Sequence, residues 1–202
     1  MYYGQFNTDV EIKKYFSDLQ IGNCIEVGAV DGVFLSNTLH FEQIGWNALC
    51  IEPVPSLFER CKNNRKNCIN YAVTNEIKDD IEFTVVTLSD GQKSAISGLE
   101  IDNKLIESHH SYNPKQTKIN VKGRTLDWCI ENHFNHEKID FISIDTEGNE
   151  LDVLKGFNIE KWKPKLLVIE NNWNEPEIED YLKNFGYVKD KRIVINDFYI
   201  CK

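Results

Sequence analysis

Carboxylates that follow short apolar runs are the residues in this chain most able to do chemistry: Asp31 after 24–27, Glu52 after 48–51, Asp145 after 139–144, and Glu170 with Asn171 after 166–169. The first lies in Glu26-Val27-Gly28-Ala29-Val30-Asp31-Gly32, whose spacing is E-x-G-x-x-x-G. A strand, a Gly-turn and a helix in that order bring backbone close to a nucleoside-type ligand. The spacing differs from the G-x-G-x-x-G of dinucleotide sites, and it offers carboxylates where those offer a row of backbone N–H groups. Acidic groups suit a ligand with an ammonium and a sulfonium, as S-adenosylmethionine has. Glu52, ~20 residues beyond the turn, is placed to accept hydrogen bonds from both ribose hydroxyls. That role alone serves NAD equally; the Gly-turn spacing favours S-adenosylmethionine.

Asp145, Glu170 and Asn171 form a second set. Two carboxylates and an amide offer three hard oxygen ligands suited to Mg²⁺ or Mn²⁺. A metal at that point would lower the pKa of an aliphatic alcohol towards a usable alkoxide. The competing reading leaves Asp145 to orient the cofactor amine and Glu170-Asn171 to cap the following loop.

These residues need elements to position them. Strand-like runs over 24–27, 48–51 and 68–73 alternate with helical patterns, which implies a parallel sheet. Thr8 and Glu11 have the spacing of a capping box for the first helix. Ser36-Asn37-Thr38 can cap the second, and Pro55 suits the first position of the third. Ile81, Phe83, Val85 and Thr87 alternate as a half-buried strand ending near Asp90-Gly91. Residues 92–118 are polar and irregular, and a segment that long is functional or mobile. A strand is expected at 119–122 and a helix from Thr125. Further strands are expected at 139–144 and 166–169, then a helix after Pro176. Two closing strands, about 187–194 and 198–201, would join around Asn196-Asp197.

At this point the chain resembles the FkbM family of S-adenosylmethionine-dependent O-methyltransferases. The likeness rests on Ile25 to Gly32 followed by Ser36-Asn37-Thr38, on Gly45-Trp46 and Ile51-Glu52-Pro53, and on Ile144 to Glu150 with Leu154-Lys155-Gly156. It implies the α/β class I methyltransferase fold, Rossmann-like, with a seven-stranded, mostly parallel sheet, helices on both faces and the last strand antiparallel. It also implies methyl transfer to a hydroxyl, often on a sugar. By that resemblance Glu26 and Gly28 would line the methionine end, Glu52 the ribose and Ala72-Val73 the adenine side, with Ala29, Asp31, Gly32, Ser36, Pro53 and Asp145 also at the cofactor. The Asp145/Glu170/Asn171 set resembles the metal site of catechol-type and macrolide-sugar O-methyltransferases. Those enzymes place a Lys or His base three residues after the first metal aspartate, where this chain has Gly148. The base is therefore open among Glu147, His109 and His110. Residues 1–202 read as one methyltransferase domain, with 92–118 as a substrate lid or insert. Trp173 and Tyr112 are candidates for stacking on a sugar ring.

Composition narrows the partners. The chain has 202 residues, with 23 basic against 32 acidic side chains and a net charge of −9. That balance argues against a nucleic-acid backbone or an anionic membrane, which need clustered Lys and Arg. Six cysteines without a C-x-x-C pair read as reduced core thiols, and no apolar run reaches the ~18–20 residues of a membrane span. No signal peptide opens the sequence, so a cytoplasmic site is expected, with a carbohydrate acceptor and no nucleic acid. The chain could also be one domain of a larger glycan-assembly protein. The alternatives are a methyltransferase on RNA or protein, or a nucleotide-binding module that keeps the fold without turnover.

Overall fold

A computed structural model describes residues 1–87, 97–99 and 114–202. The central sheet has seven strands. In chain order these are β1 (Asn23–Val27), β2 (Asn47–Ile51), β3 (Cys68–Ile69), β7 (Phe141–Ile144), β8 (Leu166–Glu170), β9 (Tyr187–Ile193) and β10 (Asn196–Cys201). Their spatial order is β3-β2-β1-β7-β8-β10-β9. β1, β2, β3, β7 and β8 pair in parallel, and β10 runs antiparallel to both β8 and β9. This is the mostly parallel α/β sheet expected, with its last strand reversed.

The pleat sorts side chains into two cores. Ile25, Val27, Leu49, Ile51, Ile142, Ile144, Leu167 and Ile169 face one side. There they meet α4 (Leu126–His133), α5 (Glu150–Lys155) and α7 (Glu177–Lys183), through Leu126, Ile130, Val153, Leu154, Ile178 and Leu182. Cys24, Ala48, Phe141, Leu166 and Val168 face the other side, against Ile12 of α1 (Thr8–Tyr15), Phe16 just after that helix, Phe41 of α2 (Leu39–Gln43) and Trp46. Both faces are largely apolar, which is why the central strands read as hydrophobic runs, with Glu26 and Ser143 as buried polar residues among them. α3 (Pro55–Asn64) starts on its proline as expected, and a short α6 (Ile159–Trp162) follows α5.

Several local expectations are corrected. The run 68–73 divides into β3 and β4 (Ala72–Val73), and β4 joins a second, three-stranded sheet in the order β4-β6-β5. The Asn70 amide drives this break, donating to the carbonyls of Glu52 and Pro53 and turning the chain between the sheets. β5 (Lys78–Thr87) and β6 (Lys115–Arg124) form a long antiparallel pair, so β6 starts well before the expected residue 119. No capping box forms at Thr8. Asn7 is the N-cap, and the Thr8 hydroxyl donates to the Gln5 carbonyl. The last hairpin turns at Val194, which has φ +52°, while Asn196 and Asp197 already belong to β10. The expected lid lies outside the described residues apart from 97–99 and 114–118, and so do Asp90-Gly91, His109, His110 and Tyr112. All six cysteines are free thiols. Among the described residues no helix is long and apolar enough to cross a membrane.

Candidate active site

The strands β1, β2 and β7 end side by side, and their ends set a cleft. Gly28 makes its floor. Gly28 has φ +86°, and a Cβ there would run into the carbonyl oxygen of Asp145, so only glycine fits. Its N–H donates to the Ile51 carbonyl at 3.0 Å, and the Asp145 N–H donates to the Val27 carbonyl at 3.0 Å. These bonds lock the three strand ends together. Glu52 lies at the side of the cleft, its carboxylate fixed by the N–H groups of Val30 at 2.9 Å and Val54 at 2.8 Å. Pro53, Tyr71, Ala72, Val73, Phe83 and Leu99 make an apolar wall, and Asp145, Thr146 and Asn149 close the remaining side. The Asn149 amide donates to the Val73 carbonyl at 3.0 Å, tying that wall to the turn after β7. An apolar cleft with a few fixed polar groups is the usual form of a small-molecule site.

Asp145, Glu147 and Glu170 converge next to this cleft, with one oxygen from each lying within 4.8 Å of the others. The turn that achieves this is unusual. Glu147 has φ +59° and Gly148 φ +112°, while Oε1 of Glu150 accepts from the Thr146 N–H and hydroxyl, both at 2.9 Å, and from the Gly148 N–H at 3.1 Å. Glu150 thus curls the chain so that Glu147 folds back on Asp145 and Glu170. Burial pushes all three carboxyls above the ordinary carboxylate range. The charges of Asp145 and Glu150 add to the shift of Glu147, and those of Asp145, Glu147 and Glu150 to that of Glu170. Oε2 of Glu147 is buried without a hydrogen-bond partner. A dense set of hard oxygens with an unsatisfied buried atom fits a divalent cation, with one oxygen from each of the three residues.

Asn171 does not belong to that set. Its amide donates to the Glu175 carbonyl and to Asp197, while its Oδ1 accepts from the Glu175 N–H at 2.9 Å. It closes the loop after β8. Glu147 joins Asp145 and Glu170 in the cluster, and nothing in the linear spacing signals this, because a left-handed residue sets its direction. Beyond the cluster lies a second groove of about 720 Å³, lined by Glu147, Glu170, Asn172, Trp173, Glu175 and Glu177 among others.

The cleft brings together Gly28, Glu52, Pro53, Ala72, Val73 and Asp145 of the expected cofactor residues. Its described lining does not include Glu26, Ala29, Asp31, Gly32 or Ser36. Glu26 lies on the opposite pleat face from Val27. There its carboxylate accepts from the Ser36 hydroxyl (2.7 Å), the Asn37 N–H (2.6 Å), the Thr38 hydroxyl (2.7 Å) and the Arg65 guanidinium (3.1 Å). Arg65 also reaches the Gly32 carbonyl and Glu42. The Ser36 hydroxyl accepts from the N–H groups of Thr38, the N-cap of α2, and Leu39. Asp31 accepts from the Val33 and Phe34 N–H groups and pairs with Arg60. Ala29 packs beneath the turn against Cys50 and Cys61. These residues shape the Gly-turn from behind.

The family model described as "Methyltransferase FkbM domain" matches residues 26–189. The fold is similar to that of the METTL16 MTase domain, at a TM-score of 0.53 and 10% identity, over 96% of this chain. The chain spans 65% of that structure's length. A putative RNA methyltransferase, PH1948 from Pyrococcus horikoshii, aligns at a TM-score of 0.49 and 11% identity, over 98% of this chain and 82% of that one. No curated protein matches the chain.

Proposed function

We propose that this chain, which belongs to the FkbM methyltransferase family, transfers a methyl group from S-adenosylmethionine to a hydroxyl of a carbohydrate with the help of a divalent cation. The observation that carries the reading is the junction at Asp145, which lines the donor cleft and shares the carboxylate cluster with Glu147 and Glu170. Donor and acceptor chemistry meet at one residue. S-adenosylmethionine, when bound, supplies an electrophilic methyl on a sulfonium. Mg²⁺ or Mn²⁺, when bound, lowers the pKa of a hydroxyl and supplies the positive charge that lets the buried carboxyls ionise.

The chain's own residues do the rest. Glu52 presents a carboxylate, held from behind by two backbone N–H groups, to a ribose diol. Ala72 and Val73 flank the base, with Tyr71 and Phe83 completing an apolar slot. Asp145, Glu147 and Glu170 would hold the ion, and the second oxygen of Glu147 is the atom assigned to take the hydroxyl proton. Alignment of acceptor and methyl can contribute several kcal/mol to lowering the barrier. The described groove lining contains no Lys or Arg, which favours a sugar over RNA as acceptor.

Calorimetry separates the parts of this reading. S-adenosylmethionine is expected to bind the purified chain and NAD is not; tighter NAD binding would overturn the donor assignment. Turnover on glycan acceptors is expected to stop in EDTA and return with Mn²⁺ or Mg²⁺. Turnover that survives chelation would leave Glu147 acting without an ion.

A further inference from the structure

We infer that Arg124 is a positioning residue of the cleft, acting through the ring of Tyr71, and that this ring stacks on the purine of the bound nucleoside. The inference rests on the S-adenosylmethionine reading above and deepens it, by assigning what holds the base and what holds the residue that does so.

Two aromatic side chains line the cleft among the described residues, Tyr71 and Phe83. Phe83 is 4% exposed and packs into the apolar cluster of Val54, Leu57 and Ala72. Tyr71 is half-buried and immediately precedes Ala72 and Val73 of β4, so it is the ring with surface left for a ligand. Protein groups take up its other sides. The Arg124 guanidinium lies over the ring, 5.2 Å from its centroid, within cation–π range. The Trp128 indole meets it nearly at right angles, with centroids 5.2 Å apart, and His133 stands 5.9 Å away. None of these three residues belongs to the described lining of the cleft. Tyr71 therefore shows the cleft a side that they leave open.

Arg124 is itself held from several directions. It ends β6, directly paired with Val73 of β4, so the strand that flanks the base also carries the partner of the guanidinium. The guanidinium lies 5.0 Å from the centroid of the Trp128 ring. Its Nη1 donates to the carbonyls of Gly123 at 2.7 Å and Lys78 at 3.2 Å, and its Nη2 donates to Asp79 at 2.7 Å. A planar fork that donates at its edge and stacks on its face is a task for arginine, since an ammonium has no face to stack. These contacts fix the Tyr71 ring from behind. A ring whose orientation the protein already sets loses little freedom when a base stacks on it, which favours binding.

A double-mutant cycle tests this. Calorimetry measures adenosine and S-adenosylmethionine on the parent chain, Tyr71→Ala, Arg124→Met and the double variant, and melting temperatures are taken for each. Tyr71→Ala should weaken both ligands by about tenfold, as the loss of one base–aromatic stack does. Arg124→Met should weaken them by roughly threefold or more, the worth of a cation–π contact. The double variant should bind no more weakly than Tyr71→Ala, because Arg124 acts only through the ring. Tyr71→Phe keeps the ring and should recover most of the affinity lost in Tyr71→Ala, and Arg124→Lys, a milder change, should fall between the parent and Arg124→Met. Losses that add in the double variant would make Arg124 a structural residue and overturn the inference, as would parental affinity in either Tyr71→Ala or Arg124→Met. A parent chain that binds neither ligand would instead overturn the donor reading itself.

Discussion

The backbone of Gly28 lies against the carbonyl of Asp145 so closely that any side chain at position 28 would have to occupy that oxygen's place. The contact joins the floor of the cleft to the residue from which the carboxylate cluster starts. Gly28→Ala would force β1 and β7 apart at their ends and strain a residue at φ +86°. The expected loss is about 1–3 kcal/mol of stability. A chain of this size should then melt roughly 2–4 °C lower per kcal/mol lost. Donor affinity should fall in the same variant. A melting temperature and affinity equal to those of the parent would contradict the contact.

Glu52 is held by the N–H groups of Val30 and Val54, so its carboxylate has a fixed direction without the ligand. Glu52→Ala should weaken S-adenosylmethionine binding by roughly 1–3 kcal/mol, through the loss of charged hydrogen bonds to the ribose. Calorimetry measures it directly. An unchanged dissociation constant would remove the ribose role.

Arg65 lies with its side chain fully buried between Glu26 and Glu42, at 3.1 and 3.0 Å. Removing it leaves two buried carboxylates without their cation. Arg65→Ala should therefore destabilise the fold by about 3–5 kcal/mol, as broken buried ion pairs do. Chemical denaturation reads this out, and a loss within experimental error would show that Glu26 and Glu42 find other partners.

The acidic cluster makes a pH prediction with a definite sign. Burial raises the carboxyls of Asp145, Glu147 and Glu170 in the folded state, Asp145 to about 7. Carboxyls raised on folding contribute stability that is present below their unfolded values and lost as pH rises through their folded values. In EDTA the melting temperature should fall as pH rises from the acid range through about 7, the Asp145 value. Added Mn²⁺ should restore it, and more strongly at high pH, where protons no longer compete for the oxygens. A Mn²⁺ effect that is absent, or larger in acid, would count against a cation at these three residues.

Glu147 joins the carboxylate cluster while the Asn171 side chain binds Glu175 and Asp197, and the difference can be measured. Glu147→Gln should weaken Mn²⁺ binding, followed by calorimetry or by electron paramagnetic resonance of the free ion. Asn171→Ala should leave Mn²⁺ affinity close to that of the parent, because its amide holds Glu175 instead. The opposite pattern would restore Asn171 as a ligand.

Much of the cleft is legible in the linear chain. Apolar runs buried on both faces give away the central strands, and chemistry at their C-terminal ends follows from the parallel arrangement, so Glu52 and Asp145 stand out as soon as the strands do. Residues whose direction depends on a distant partner are not legible. The motif places Glu26 two residues before Gly28, but the pleat turns it to the face where Arg65 waits, 39 positions along the chain. The break at Asn70 depends on carbonyls of Glu52 and Pro53. The full length of β6 depends on its antiparallel partner β5, and Glu147 reaches the cluster only because Glu150 binds the turn that carries it.

The most direct measurement is the product of one reaction. The chain is incubated with methyl-labelled S-adenosylmethionine, Mn²⁺ and a panel of glycan acceptors, and the products are read by mass spectrometry and NMR. The account predicts label in an O-methyl group on a sugar hydroxyl, dependent on the ion and lost in Glu170→Gln. Label on RNA or protein with every sugar unmodified would contradict it.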